Sequence, residues 1–156
     1  PLLSRSTMKT NRKQRGVAAV ELGIVMIPLT VLAFGITEYG RAIFQYNTLV
    51  KSVRDASRYV SQHAPGDAAH IGIAKCLVVH GNRTCSGATL VPGLTTAQVD
   101  VCDRSNCPDH ANQPTGAGVV NLTSVTVDKF PFKSLVPLMV KDITFGPIRS
   151  TMRQVL

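Results

Sequence analysis

Arg15-Gly16-Val17-Ala18-Ala19-Val20-Glu21 opens a run that continues through Leu22 and Pro28 to Ile36, and its reading decides the fold. From Val17 to Ile36 every residue except Glu21 is apolar, small or uncharged. About 20 helical residues rising about 1.5 Å each match the roughly 30 Å hydrocarbon core of a bilayer, so the stretch is expected to span a membrane as one helix. Pro28 removes one backbone donor within it and predicts a kink.

The residues before the run are basic. Arg5, Lys9, Arg12, Lys13 and Arg15 face no Asp or Glu within residues 1–16, a bias that keeps the N-terminus in the cytoplasm and sends the C-terminal part outward. Met8 is the expected initiator, which makes residues 1–7 an extension ahead of the true start. A secretory signal peptide shares the basic and apolar parts. This apolar run is long for one, contains a glutamate, and ends in Thr37-Glu38-Tyr39-Gly40-Arg41 instead of a small-residue cleavage site.

The net charge of +8 is mostly this topology signal: outside residues 1–16 the chain carries twelve Lys and Arg against nine Asp and Glu. Beyond residue 65 the aromatic residues are Phe130, Phe132 and Phe145, too sparse for a basic stripe with interleaved stacking platforms, so nucleic-acid binding is not expected. About 120 residues lie beyond the apolar run, enough for one small domain.

Helical patterning continues past the apolar run. Tyr39, Ile43, Tyr46, Val50, Val53, Ser57 and Val60 recur at spacings of four and three, a heptad seam, with Lys51 and Asp55 placed for an i,i+4 pair. One helix is predicted from about Val17 to about His63, stopped by Pro65-Gly66. A second is predicted over Asp67 to Val79, capped by Asp67 and stopped by Gly81. Strands are predicted at Ala97 to Cys102, Val119 to Val127 and Lys141 to Ile148, with a loop from Asp103 to Gly118 and a short helical link between Phe132 and Val140. The fold class is α+β: a long N-terminal transmembrane-plus-amphipathic helix packed on a small antiparallel sheet domain. Its expected parts are a leader (1–16), a transmembrane segment (17–36), an outer helical extension (37–64) and a periplasmic or extracellular domain (65–156).

Cys76, Cys85, Cys102 and Cys107 all fall in the outer part, and an even count there predicts two disulfides. Three pairings are possible. The local scheme, Cys76 with Cys85 and Cys102 with Cys107, closes short turn-rich loops and is preferred, though spacing alone leaves connectivity open. Cys102, Cys107 and His110 resemble a partial zinc set, but oxidised cysteines are the expectation in that compartment. His63, His70 and His80 look scattered, and neither a nucleophile grouping nor a phosphate loop is present. No catalytic residue, metal or cofactor is expected.

Glu21 is the residue that asks for a function. A carboxylate within a bilayer is costly and calls for a partner unless, one turn from the boundary, it snorkels. Cleavage after Gly16 would supply one: a new α-ammonium on Val17, with a pKa near 8, that the Glu21 of an adjacent copy pairs with inside a helix bundle.

These features resemble a known family. Arg15-Gly16, Val17-Ala18-Ala19-Val20-Glu21, Pro28, the run Phe34 to Arg41, Arg54-Asp55-Ala56-Ser57-Arg58-Tyr59 and the C-terminal Ser150-Thr151-Met152-Arg153 together look like the TadE-like pseudopilins of the Tad (Flp-type) pilus, within the wider type IV pilin class. Leu22 stands where pilins of that class usually place an aromatic. The resemblance implies a minor subunit in the bacterial inner membrane, cut between Gly16 and Val17 by a prepilin peptidase, with Glu21 as the assembly residue and Ser150 to Arg153 as a closing strand. Its implied partners are that peptidase, other pilins and pseudopilins, the Tad assembly platform and membrane lipid. A permanently anchored, unprocessed periplasmic binding module is the alternative.

Overall fold

A computed structural model describes residues 12–137 and 141–155, so the leader before Arg12 and the Met8 start lie outside the described residues. The chain opens with helix α1, Arg12–Ser61, unbroken through Pro28, followed by α2, Ala68–His80. The strands are β1 (Val99–Cys102), β2 (Gln113–Thr115), β3 (Gly118–Val120), β4 (Leu122–Val127), β5 (Pro131–Phe132), β6 (Ile143–Thr144) and β7 (Ile148–Arg153). The result is the expected α+β class, a long apolar helix carrying a small antiparallel domain.

The caps of α2 follow from its sequence. The Asp67 carboxylate accepts from the Ala69 amide at 2.8 Å, and Gly81 ends the helix in the left-handed region at φ 72°, its amide donating to the Leu77 carbonyl.

The main sheet has the order β1-β4-β7, all antiparallel, with Val99 opposite Val127, Val101 opposite Val125, and Val127 opposite Ile148. These side chains share one face, which α1 and α2 cover. Leu49, Val53, Ala56 and Val60 of α1 meet Ala74, Val78 and Val79 of α2 and the sheet valines, with Val91, Leu94 and Phe130 closing the rim. Burying a side chain of this size contributes about 1.5–3 kcal/mol, so the valine layer is what holds α1 to the sheet. A polar stitch crosses the same interface: the Ser57 hydroxyl donates to the Ser150 carbonyl at 2.9 Å.

Several expectations shift. The third strand of the sheet is Ile148–Arg153, not Lys141 to Ile148. Pro147 has no amide to give a ladder, and the sheet begins just after it. Upstream, Ile143–Thr144 pairs separately with Pro131–Phe132. The Asp103 to Gly118 stretch contains β2, which forms a hairpin with β3. The helical link is not seen over residues 132–137, and residues 138–140 lie outside the described set.

The heptad seam holds only in its outer part. Val53, Ser57 and Val60 are buried, but Tyr39, Ile43 and Tyr46 are exposed. The stripe facing the domain begins instead at Glu38. Lys51 and Asp55 are exposed and make no ion pair; among the described residues the pairs are Arg41–Glu38 at 2.7 Å and His70–Asp67 at 3.6 Å.

Candidate functional site: the uncovered helix and its junction

α1 divides by burial. From Gly16 to Phe34 every residue is exposed, and within the 18-residue window most apolar in character none is covered by the other described residues. Val17, Val20, Leu22, Ile24, Leu29, Leu32 and Ile36 present their side chains outward. A soluble protein does not leave so large a continuous apolar surface bare. A helix apolar all round is suited to lipid or to other helices of the same kind.

Gly16 and Val17 sit within the second turn of α1, which begins at Arg12 and not, as expected, at Val17. A side chain at Gly16 would meet nothing within 4 Å, so the bond between them is open to approach. Local helix here is weak. The first turn has no acid to complement the helix dipole, basic residues occupy it instead, and glycine costs about 1 kcal/mol relative to alanine. Fraying of the segment before Val17 is therefore cheap.

Glu21 lies one turn beyond, about 6 Å along the axis from Val17. It is exposed on the uncovered half, with no ion-pair partner among the described residues. In an apolar medium an unpaired carboxylate is costly.

The cysteines are remote from the junction. Cys76 is bonded to Cys85 and Cys102 to Cys107, the local scheme. The first bond ties the end of α2 to the loop after it. The second closes the turn leaving β1. His110 approaches that second disulfide, but both sulfurs are committed to it, and the imidazole Nε2 lies 2.8 Å from the Ser124 hydroxyl. This grouping is a stapled turn.

Sequence reading passes over three groups. Glu38 is 3% exposed, takes a hydrogen bond from Arg41 Nη1 at 2.7 Å and another from the Leu135 amide at 3.1 Å. Burial pushes its pKa up, but the Arg41, Leu135 and Ser134 donors outweigh that and hold it below the ordinary carboxylate value. Asp103 is buried and accepts from the amides of Gly66 and Ser105, each at 2.8 Å. His63 and His70 are not scattered. Their rings lie tilted against one another with centroids 4.0 Å apart beside Tyr59, whose hydroxyl is 2.7 Å from His70 Nδ1. The Glu38–Arg41 spacing was a readable i,i+3 signal; the other two groups form across turns that spacing does not reveal.

The uncovered apolar half, the junction at its head and the docked half behind it coincide with a known sequence family, for the model described as TadE-like protein matches residues 16–58. Residues 16–58 are TadE-like. This TadE-like segment begins at Gly16, includes Glu21 and Glu38, and ends at Arg58, an exposed residue of the half of α1 that packs on the sheet. It stops short of α2, the four cysteines and every strand. No curated protein and no solved structure matches the chain.

Proposed function

We propose that the chain is a structural subunit associated with a Tad-type pilus: a pseudopilin or minor pilin, not an enzyme. On this reading residues 17–36 anchor it in the bacterial inner membrane with its N-terminus cytoplasmic and its domain periplasmic. A prepilin peptidase cuts between Gly16 and Val17, and the assembly platform passes the mature chain into contact with other pilins at the cell surface.

The observation that carries the reading is that the TadE-like match starts at Gly16 and takes in an apolar helical segment that no other described residue covers. Leaving lipid, such a helix must exchange one apolar environment for another, and neighbouring helices of the same kind supply it. Before cleavage, the Val17 nitrogen is an amide inside α1. After cleavage it is an ammonium at a helix N-terminus, where the dipole also favours a carboxylate. Glu21 of a neighbour shifted by about one turn reaches it, and two charges that are each costly in a bundle neutralise one another.

The test is Glu21→Ala in a cell that expresses the pilus system. The variant is expected to insert as well as the parent, because a charge has been removed from the span, and to be lost from sheared pilus fractions. Undiminished incorporation overturns the assembly role of Glu21. A harmless Glu21→Leu, with Arg15-Gly16-Val17 intact in mature material, favours the permanently anchored module.

A further inference from the structure

Among the described residues, the chain returns toward the uncovered helix between β5 and β6. Here it passes through Lys133, Ser134 and Leu135 and comes back through Lys141 and Asp142, the base of this turn closed by the Ser134 amide donating to Asp142 Oδ1 at 3.1 Å. The Leu135 amide donates to Glu38, two residues beyond Ile36 and so about 3 Å further along the axis. Arg41, which also holds Glu38, lies over the Phe132 ring at 5.4 Å. A cavity of about 210 Å³ is lined by Gly35, Glu38, Tyr39, Ala42, Phe132 and Ile143. Gly35 belongs to the last turn of the apolar run, so Ile143 sits level with the end of the span.

At that level the molecule leaves apolar groups bare. Leu135 is 72% exposed, Tyr39 70% and Ile143 47%. Among the described residues the exposed charges around them are Lys133, Lys141 and Asp142, a positive excess; Glu38 is buried against Arg41 and the Leu135 amide, and Asp142 accepts from the Ser134 amide. Exposed leucine and isoleucine, a tyrosine on the helix at the same height and a pair of lysines are the composition of a bilayer interface.

We propose that the Lys133–Leu135 and Lys141–Ile143 limbs form a second membrane contact, seating the domain on an anionic lipid surface. Leu135 and Ile143 enter the boundary between headgroups and acyl chains, and Lys133 and Lys141 meet lipid phosphates. The attraction of each lysine fades within a Debye length of about 10 Å, so the contact requires the closeness that the Glu38–Leu135 bond imposes. Its function is to fix the domain's height and tilt over the bilayer while leaving it free to lift when the helix is extracted. The inference rests on the reading that residues 17–36 span the membrane.

The chain contains no tryptophan, so single tryptophans report on position. The full chain carrying Leu135→Trp is reconstituted in nanodiscs of phosphatidylcholine with brominated acyl chains, with and without phosphatidylglycerol. Leu32→Trp reports on the span. Val155→Trp reports on the far end of the domain, where the Val155 amide bonds to the Ser61 carbonyl, roughly 37 Å from the end of the apolar run. Leu135→Trp is expected to shift its emission to shorter wavelength and to be quenched by bromine, more strongly with phosphatidylglycerol, while Val155→Trp stays unquenched. Adding Lys133→Glu and Lys141→Glu to Leu135→Trp is expected to abolish the gain from phosphatidylglycerol. A quenched Leu32→Trp beside a solvent-like Leu135→Trp overturns the second contact and leaves the span standing. An unquenched Leu32→Trp overturns both. A phosphatidylglycerol gain that survives the lysine reversals overturns the role of Lys133 and Lys141.

Discussion

Asp103 shows what one carboxylate does in a small domain. It joins the turn after α1 to the disulfide-closed turn after β1 through the Gly66 and Ser105 amides and the Ser105 hydroxyl. Burial favours its neutral form, but these donors together hold its pKa below the ordinary 3.8. A folded-state pKa lower than the unfolded one stabilises the fold fully above about pH 4 and loses that contribution as pH falls through the depressed value. Acid unfolding of the detergent-solubilised chain is therefore expected to steepen below pH 3.8, and Asp103→Ala to remove that steepening. The same substitution strands two amide donors and is expected to cost about 1–3 kcal/mol in a denaturant titration. Gly66→Ala carries a similar penalty, about 1–3 kcal/mol, because φ there is +78° and the added Cβ would stand 2.9 Å from Ser105 Oγ. Unchanged stability in either variant contradicts the linkage. Gly66 could be read in the sequence as a helix stop. Its closeness to Ser105 could not, since the two are brought together only when the helices pack on the sheet.

Among the elements, α1 and α2 were legible because the run from Val17, Asp67 and Gly81 are local signals. The docked face of α1 was legible only in part. Hydropathy finds Val53 and Val60, but the buried stripe starts with a glutamate and an arginine that satisfy one another, and no apolar pattern marks that pair. β7 hid for a related reason: its inward residues after Ile148 are Ser150 and Met152, so apolar alternation fades while backbone pairing with β4 continues. The disulfides staple the ends of α2 and β1, closing loops of about 5–10 residues, and each is expected to contribute about 2–3 kcal/mol. Paired serine replacement at Cys76 and Cys85, or at Cys102 and Cys107, is expected to lower Tm by several degrees in a thermal melt. A Tm unmoved by either pair contradicts the staple role.

The whole molecule is a 50-residue helix used twice: its outer half is the backbone of a domain core, and its inner half has no partner among the described residues. The TadE-like match, residues 16–58, covers both halves and little else. In the proposed function, the peptide bond at the head of the inner half is cut to make an assembly-competent helix. Intact mass and N-terminal sequencing of the full chain, co-expressed with and without a prepilin peptidase, test it most directly. A mature chain beginning Val17-Ala18-Ala19-Val20-Glu21 is expected only when the peptidase is active; an intact Arg15-Gly16-Val17 in its presence overturns the proposed cut.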